Sequence, residues 1–182
     1  MRIPFNSQPT LADAHVHLRP LRTDDFEALY AVAADPLIWE QHPTPTRYQR
    51  AVFQTFFLGA LESDGAFLIQ GLDSGQPIGS TRFYDYDETN NSVLIGYSFL
   101  ARDHWGTPTN RAVKTLLLNH AFAQGIENVY FHVGAHNRRS QRAMEKLGAE
   151  KIEERAIAYH GEPATPNIVY RIRRAHWPAR TA

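Results

Sequence analysis

The sequence contains no cysteine in 182 residues. That excludes a disulfide framework, a thiolate zinc site, an iron–sulfur cluster and a cysteine nucleophile. It also lacks net charge, with 19 Lys and Arg against 19 Asp and Glu. There is thus no cationic surplus of the kind that drives bulk binding to nucleic acid or to an anionic membrane. No apolar run approaches the roughly 18 residues of a membrane span, and the opening MRIPFNSQPTLADAH has no apolar stretch of signal-peptide length. The expectation is a cytoplasmic chain with neither a nucleic-acid nor a membrane partner.

What is present suits one domain. A chain of this length buries about 70% of its unfolded surface on folding, enough for a single core, and 11 Gly with 11 Pro is close to ordinary usage. The pattern alternates between strand and helix. His15 to Arg22 alternates, Thr23 is a candidate cap for a helix over 24–34, and Asp35-Pro36 is read as its stop. After the Pro-rich connector 42–46, Val52, Phe53, Phe56, Phe57 and Leu61 share one helical face. The segments 66–72 and 77–84 flank the turn Asp73-Ser74-Gly75-Gln76 and read as a hairpin. A strand over 92–100 leads through the loop 102–109 into a helix that ends near Gly125. Val129 to Val133 is a further strand, and Asn137 caps a short helix stopped by Gly148. Strands over 151–159 and 167–173, joined across His160-Gly161-Glu162-Pro163, close the chain.

The strand, loop and helix around Trp105 to Asn110 make a natural anion site, because a helix N-terminus presents unpaired amides and the positive end of the dipole. The loop fits neither GxxxxGK[ST] nor GxGxxG, which disfavours nucleoside triphosphates and dinucleotides. Among the nine histidines, His15 and His17 share a strand face without a third ligand. His132 and His136 are spaced i, i+4 outside a helix, so no metal site is expected.

In order and spacing, LRPLRTDDFEAL, IGYSFL, HWGTPTNRAVKTLLLNHAF, VYFHVGAHNRRSQRAMEKLGA and VYRIRRAHW resemble the GCN5-related N-acetyltransferases (GNAT). The similarity is strongest to the subgroup around the ribosomal-protein alanine and serine N-acetyltransferases. The resemblance implies an α/β (α+β) GNAT fold over 1–182 as a single acetyltransferase domain, with an N-terminal extension of about 1–12 and a C-terminal tail over 175–182. That fold is a mixed, mostly antiparallel sheet of six to seven strands with splayed central strands and about four helices.

The resemblance also implies acetyl-CoA as cosubstrate, an amine as acceptor, no metal, and a monomer or homodimer. Tyr97, Ser98, Phe99 and Leu100 match the splayed strand that holds the pantetheine, and Trp105, Gly106, Thr107, Thr109 and Asn110 match the loop that lends amides to the pyrophosphate. Lys114, with Asn110, matches an N-x-x-x-K signature and is expected to add a cation near the phosphates. Arg139 and Arg142 are candidates for the same task. Asn137 matches an asparagine that reaches the pantetheine, and Ser140 a small residue near the thioester sulfur. Trp39, Tyr48, Phe83 and Asp85 are assigned to the acceptor pocket.

The departures from the family pattern are informative. Pro108 stands where relatives carry glycine and removes an amide donor. Met144 replaces a tyrosine that acts as general acid, and Leu94 replaces a glutamate. Ser140 is then the candidate to protonate the leaving sulfur, with Asp85, Asp87, Glu88 and His136 as candidate bases. A rival reading is a catalytically degenerate sensor of coenzyme A or an acyl-CoA, or an interaction domain.

Charge is distributed unevenly. Residues 60–90 carry Glu62, Asp64, Asp73, Asp85, Asp87 and Glu88 against Arg82. Residues 102–146 carry Arg102, Arg111, Lys114, Arg138, Arg139, Arg142 and Lys146 against Asp103, Glu127 and Glu145. The basic half suits phosphates and the acidic half a cationic acceptor.

Overall fold

The structure is a computed structural model and describes residues 5–158 and 163–178; the expected turn at His160, Gly161 and Glu162 lies outside them. In chain order the elements are β1 (Leu11–Ala12), β2 (Val16–Pro20), α1 (Phe26–Ala33), α2 (Pro36–Trp39), α3 (Arg50–Glu62), β3 (Ala66–Gly71), β4 (Pro77–Asp87) and β5 (Ser92–Leu100). They continue with α4 (Thr109–Ala123), β6 (Asn128–Gly134), α5 (Arg138–Leu147), β7 (Glu150–Ile157) and β8 (Thr165–Arg173). The strands form one sheet in the order β1-β2-β3-β4-β5-β6-β8-β7. All neighbours are antiparallel except β5 and β6.

Among the described residues the sheet has eight strands instead of six or seven, and there are five helices instead of four. The additional strand is β1, whose two residues pair with His17 and Leu18 and are too few to show a period. The additional helix is α2. Asp35-Pro36 does not simply stop α1: Asp35 Oδ1 accepts the Leu37 amide at 3.0 Å and Pro36 takes the first helical position, where a missing N–H costs nothing. Nor does Thr23 cap α1. Asp25 instead accepts the Arg22 amide at 2.8 Å and grips Arg19 with both oxygens, at 2.6 and 2.8 Å.

Alternation along the strands builds two cores. Phe67 and Ile69 of β3 join Phe83, Ile95, Leu117 and Phe131 on the face covered by α4 and α5. Ala66 and Leu68 join Leu29, Phe53, Phe57 and Phe99 under α1 to α3. β7 is an edge strand of sequence EKIEERAI, almost wholly exposed, and its charges protect that edge from pairing with another chain.

The decisive feature for function lies at the parallel pair. Its ladder runs only from Ser92–Asn128 to Leu94–Tyr130, although β5 continues to Leu100 and β6 to Gly134. Beyond Leu94 the two strands diverge, as the resemblance implies.

Candidate functional site

A cavity of about 140 Å³ opens where β5 and β6 part. Its walls come from 95–98 of β5, 131–134 of β6, the first turns of α4 and α5, and the connector around His42. Local chemistry shapes the β5 wall. Tyr97 sits at φ 50°, a left-handed conformation rare for a residue with a side chain. The register with β4 slips here, with Ser80 opposite Phe99 but Arg82 opposite Gly96. This is a bulge, which re-aims side chains in the manner of bulges beside active sites. The Arg82 guanidinium lies 3.9 Å from the Tyr97 ring centroid and anchors the ring from behind.

Inside the bulge, Lys114 Nζ donates to Ser98 Oγ at 2.6 Å. Ser98 Oγ in turn shares a hydrogen bond with Thr81 Oγ1 at 2.7 Å and donates to the Gly96 carbonyl at 3.3 Å. Lys114 is buried, with 4% of its surface exposed, and no carboxylate among the described residues pairs with it. Loss of hydration without a counter-ion disfavours its charged form and pulls the ammonium down to about 7. Two histidines on the same walls are held neutral. Burial, with Arg47 and Arg139 nearby, takes His42 to about 3, and burial with Arg155 nearby takes His132 to about 4. His132 Nδ1 is also a buried polar atom without a partner.

On α5, Asn137 Oδ1 accepts the Ser140 amide at 3.1 Å and supplies the expected cap. Ser140 is therefore not needed for capping. Its side chain lines the cavity, and its hydroxyl makes no hydrogen bond among the described residues. On α4, the first intrahelical bond runs from the Ala112 amide to the Pro108 carbonyl at 2.9 Å. The amides of Thr109, Asn110 and Arg111 thus precede the helical ladder. Thr107 Oγ1 takes the first of them at 3.3 Å, and Pro108 contributes none. Gly106, at φ 72°, makes the bend before them. Trp105 fixes this loop: its Nε1 donates to the Leu100 carbonyl at 3.1 Å, and the Arg139 guanidinium stacks 3.7 Å from the indole centroid.

The acetyltransferase (GNAT) domain family matches residues 15–150, most of the chain. The protein belongs to the GNAT acetyltransferase family. Solved structures agree in fold. A GCN5-related N-acetyltransferase from Brucella melitensis superposes with a TM-score of 0.82 at 20% identity, covering 97% of this chain and 83% of that one. A GNAT acetyltransferase from Bacillus anthracis gives 0.75 at 15%, covering 92% and 99%. Mycobacterium smegmatis RimJ, solved in complex with CoA-disulfide, gives 0.73 at 16%, covering 93% and 88%. No curated protein is a significant match.

Acetyl-CoA is the cosubstrate of the GNAT family, and the residues here fit an acyl thioester. The β6-facing edge of β5 beyond Leu94 has no ladder partner, the first-turn amides of α4 stand beside it, and no Asp or Glu lines the cavity. Of the residues singled out from sequence, Tyr97, Ser98, Asn110, Lys114, Asn137 and Ser140 converge on this cavity. Phe99 and Leu100 are buried in the two cores, leaving only their main chain for a ligand, and Arg142 is exposed on α5.

Several expected placements do not hold. Lys114 is not turned toward the loop before α4; it points inward to Ser98. Trp39 and Phe83 do not line the cavity, since both are essentially fully buried. Trp39 donates to the Ala33 carbonyl, and Phe83 packs against Phe5 and Phe67. Tyr48 packs beside the core under α1 to α3. Asp85, Asp87 and Glu88 line a second, open groove that shares His132 with the cavity, and His136 lies exposed in the turn before α5. Sequence reasoning missed His42, Arg47 and Tyr84, which the connector and β4 bring to the cavity. For Tyr84 a signal existed in its place next to Phe83 on a strand, where successive side chains point to opposite faces.

Proposed function

We propose that the protein is an N-acetyltransferase that moves the acetyl group of acetyl-CoA onto a primary amine, either a protein N-terminus or a small molecule. The observation that carries this reading is the cavity set between diverging β5 and β6. Unladdered backbone, a cap-free Ser140 hydroxyl and a carboxylate-free lining all meet there.

In this reading acetyl-CoA brings an acyl group activated as a thioester, and the chain supplies position and polarity. Tyr97 to Leu100 hold the pantetheine through main-chain hydrogen bonds, and an N–H of that edge polarises the acetyl carbonyl. The amides after Gly106 receive the pyrophosphate. Asn137 spends its Oδ1 on the cap, which leaves its Nδ2 for the pantetheine. Ser140 donates to the sulfur as it departs. The amine enters from the groove that holds Asp85, Asp87, Glu88 and Glu153, which meets the cavity at His132 and attracts a cationic acceptor.

The test is release of free thiol from acetyl-CoA across a panel of peptides and small amines. Turnover with at least one amine is expected. Met144, which lines the cavity and cannot give a proton, favours a second reading as a coenzyme A sensor. Calorimetric binding of acetyl-CoA with no turnover on any acceptor would establish that reading instead.

A further inference from the structure

Transfer to an amine needs a group that removes a proton, because at neutral pH an aliphatic amine is mostly an ammonium without a lone pair. None of Asp85, Asp87, Glu88 and His136 lines the cavity. The position before Ile95 is Leu94. Resting on the proposed N-acetyltransfer, we infer that Lys114, acting through the Ser98 hydroxyl, is the proton acceptor for the amine.

The geometry supports this assignment in three ways. Lys114 and Ser98 both line the cavity and are 2.6 Å apart, a distance suited to proton transfer. Ser98 lies in the β4–β5 bulge, within the stretch of β5 whose β6-facing edge is unladdered and offers its amides to the acyl group. Finally, a buried lysine normally pairs with a carboxylate, whereas among the described residues Lys114 hydrogen-bonds Ser98, stands 5.9 Å from the Phe131 ring and has no carboxylate partner. The other titratable or charged groups around the cavity are Tyr84 from β4, Tyr97 from β5, His132 from β6, and His42 and Arg47 from the connector. Arg82 and Arg139 stand behind them. None is anionic at neutral pH, so nothing there stabilises a permanent ammonium. Of the nitrogen bases, His42 and His132 are too weakly basic to hold a proton near pH 7, while Lys114 titrates where a general base works best.

The step balances. An N–H bond of the acceptor ammonium breaks and its proton passes to Ser98 Oγ, as the proton of Ser98 passes to the Lys114 lone pair. The freed amine then forms the C–N bond while the C–S bond breaks. The second proton, lost from the attacking nitrogen, leaves with the thiolate as thiol. Lys114 returns its proton to water on product release, the one net proton of the reaction. Ser98 is the relay, and Lys114, which acts through it, is the terminal proton acceptor.

The experiment measures kcat and KM from pH 5.5 to 10 for wild type, Lys114→Met and Ser98→Ala, with acetyl-CoA and the best amine of the panel. Calorimetric acetyl-CoA affinity serves as the control for folding. In the wild type the acid limb of kcat is expected near pH 7. In Lys114→Met, kcat should fall about 100-fold at pH 7, with acetyl-CoA affinity within about threefold, and the limb should move toward the pKa of the free amine. Ser98→Ala should show the same shift of limb. If Lys114→Met keeps kcat within about threefold and retains the limb near 7, the inference is overturned while N-acetyltransfer stands. If wild type binds acetyl-CoA but turns over no amine, both fall. Should Lys114→Met fail to fold, side-chain NMR titration of wild type decides: a lysine titrating below about pH 8 supports the role, and none below about 9.5 overturns it.

Discussion

Gly96 is one of two glycines on the cavity wall, and Tyr84 fills the space beside it. A Cβ at that position would lie 2.9 Å from Tyr84 Cε1, and the ring can yield only by moving off its edge-on contact with Tyr97, 5.0 Å between centroids. Gly96→Ala is therefore expected to leave stability within about 1 kcal/mol and to raise the KM for acetyl-CoA several-fold. Steady-state kinetics and urea denaturation separate the two effects. Ser140→Ala should lower kcat more than acetyl-CoA affinity, because its hydroxyl makes no contact that the free protein needs; an unchanged kcat would remove it from the mechanism.

Lys114 also leaves a thermodynamic signature. Below about pH 7 the group is charged in both states and the burial cost is fully present. Between about 7 and its ordinary value of 10.5 the folded form has lost its proton and the unfolded form has not, so stability rises with pH. Each pH unit in that window contributes up to about 1.4 kcal/mol. Thermal melts should show this rise in wild type and a flatter profile, with a higher melting temperature at pH 7, in Lys114→Met. The sequence singles out Lys114 but not its burial. Lysine one turn into a helix is ordinarily a surface cation, and its partner Ser98 sits in a bulge whose left-handed residue is Tyr97, a residue type that does not announce that conformation.

Among the elements, α5 carries both stability and chemistry. Asn137 caps it and Gly148, at φ 85°, ends it in the left-handed conformation suited to glycine. Asn137→Ala is expected to cost about 1 kcal/mol in denaturation and to weaken acetyl-CoA binding. Asn137→Asp keeps a capping oxygen and loses the amide donor, so it should restore stability without restoring affinity. Both ends of this helix were legible, since Asn and Gly are residues with strong positional meaning. The hairpin of β3 and β4 was legible for the same reason, through Asp73 to Gln76. α2 was not, because Asp-Pro serves equally as the end of one helix and the start of another. Only the tertiary path of the chain shows that Asp35 caps forward to Leu37.

For the whole molecule, the order of strands and helices and the divergence of β5 from β6 were readable through the ordered set of motifs, and six of the residues singled out from sequence line the cavity. The acceptor pocket was not readable, since Trp39 and Phe83 are as apolar as any pocket lining and only packing reveals that the cores take them. Charge shows the same limit. Arg102 pairs with Asp35 and Arg139 stands 3.6 Å from Glu40, so part of the basic surplus over 102–146 is neutralised within the fold. The remainder should still favour phosphates. Raising ionic strength from about 0.05 to 0.5 M shortens the screening length roughly threefold and is expected to raise the KM for acetyl-CoA several-fold.

The short ladder between β5 and β6 makes the protein a sheet with one seam left unstitched. A thioester arm seated along that seam would serve as a surrogate strand, hydrogen-bonded on the side where the chain offers no partner. Folding and cosubstrate supply are then coupled by mass action, with a hundredfold excess over Kd adding about 2.7 kcal/mol. Amide hydrogen exchange along β5 beyond Leu94 should slow when acetyl-CoA is present, so that the seam reports the acetyl-CoA level of its surroundings.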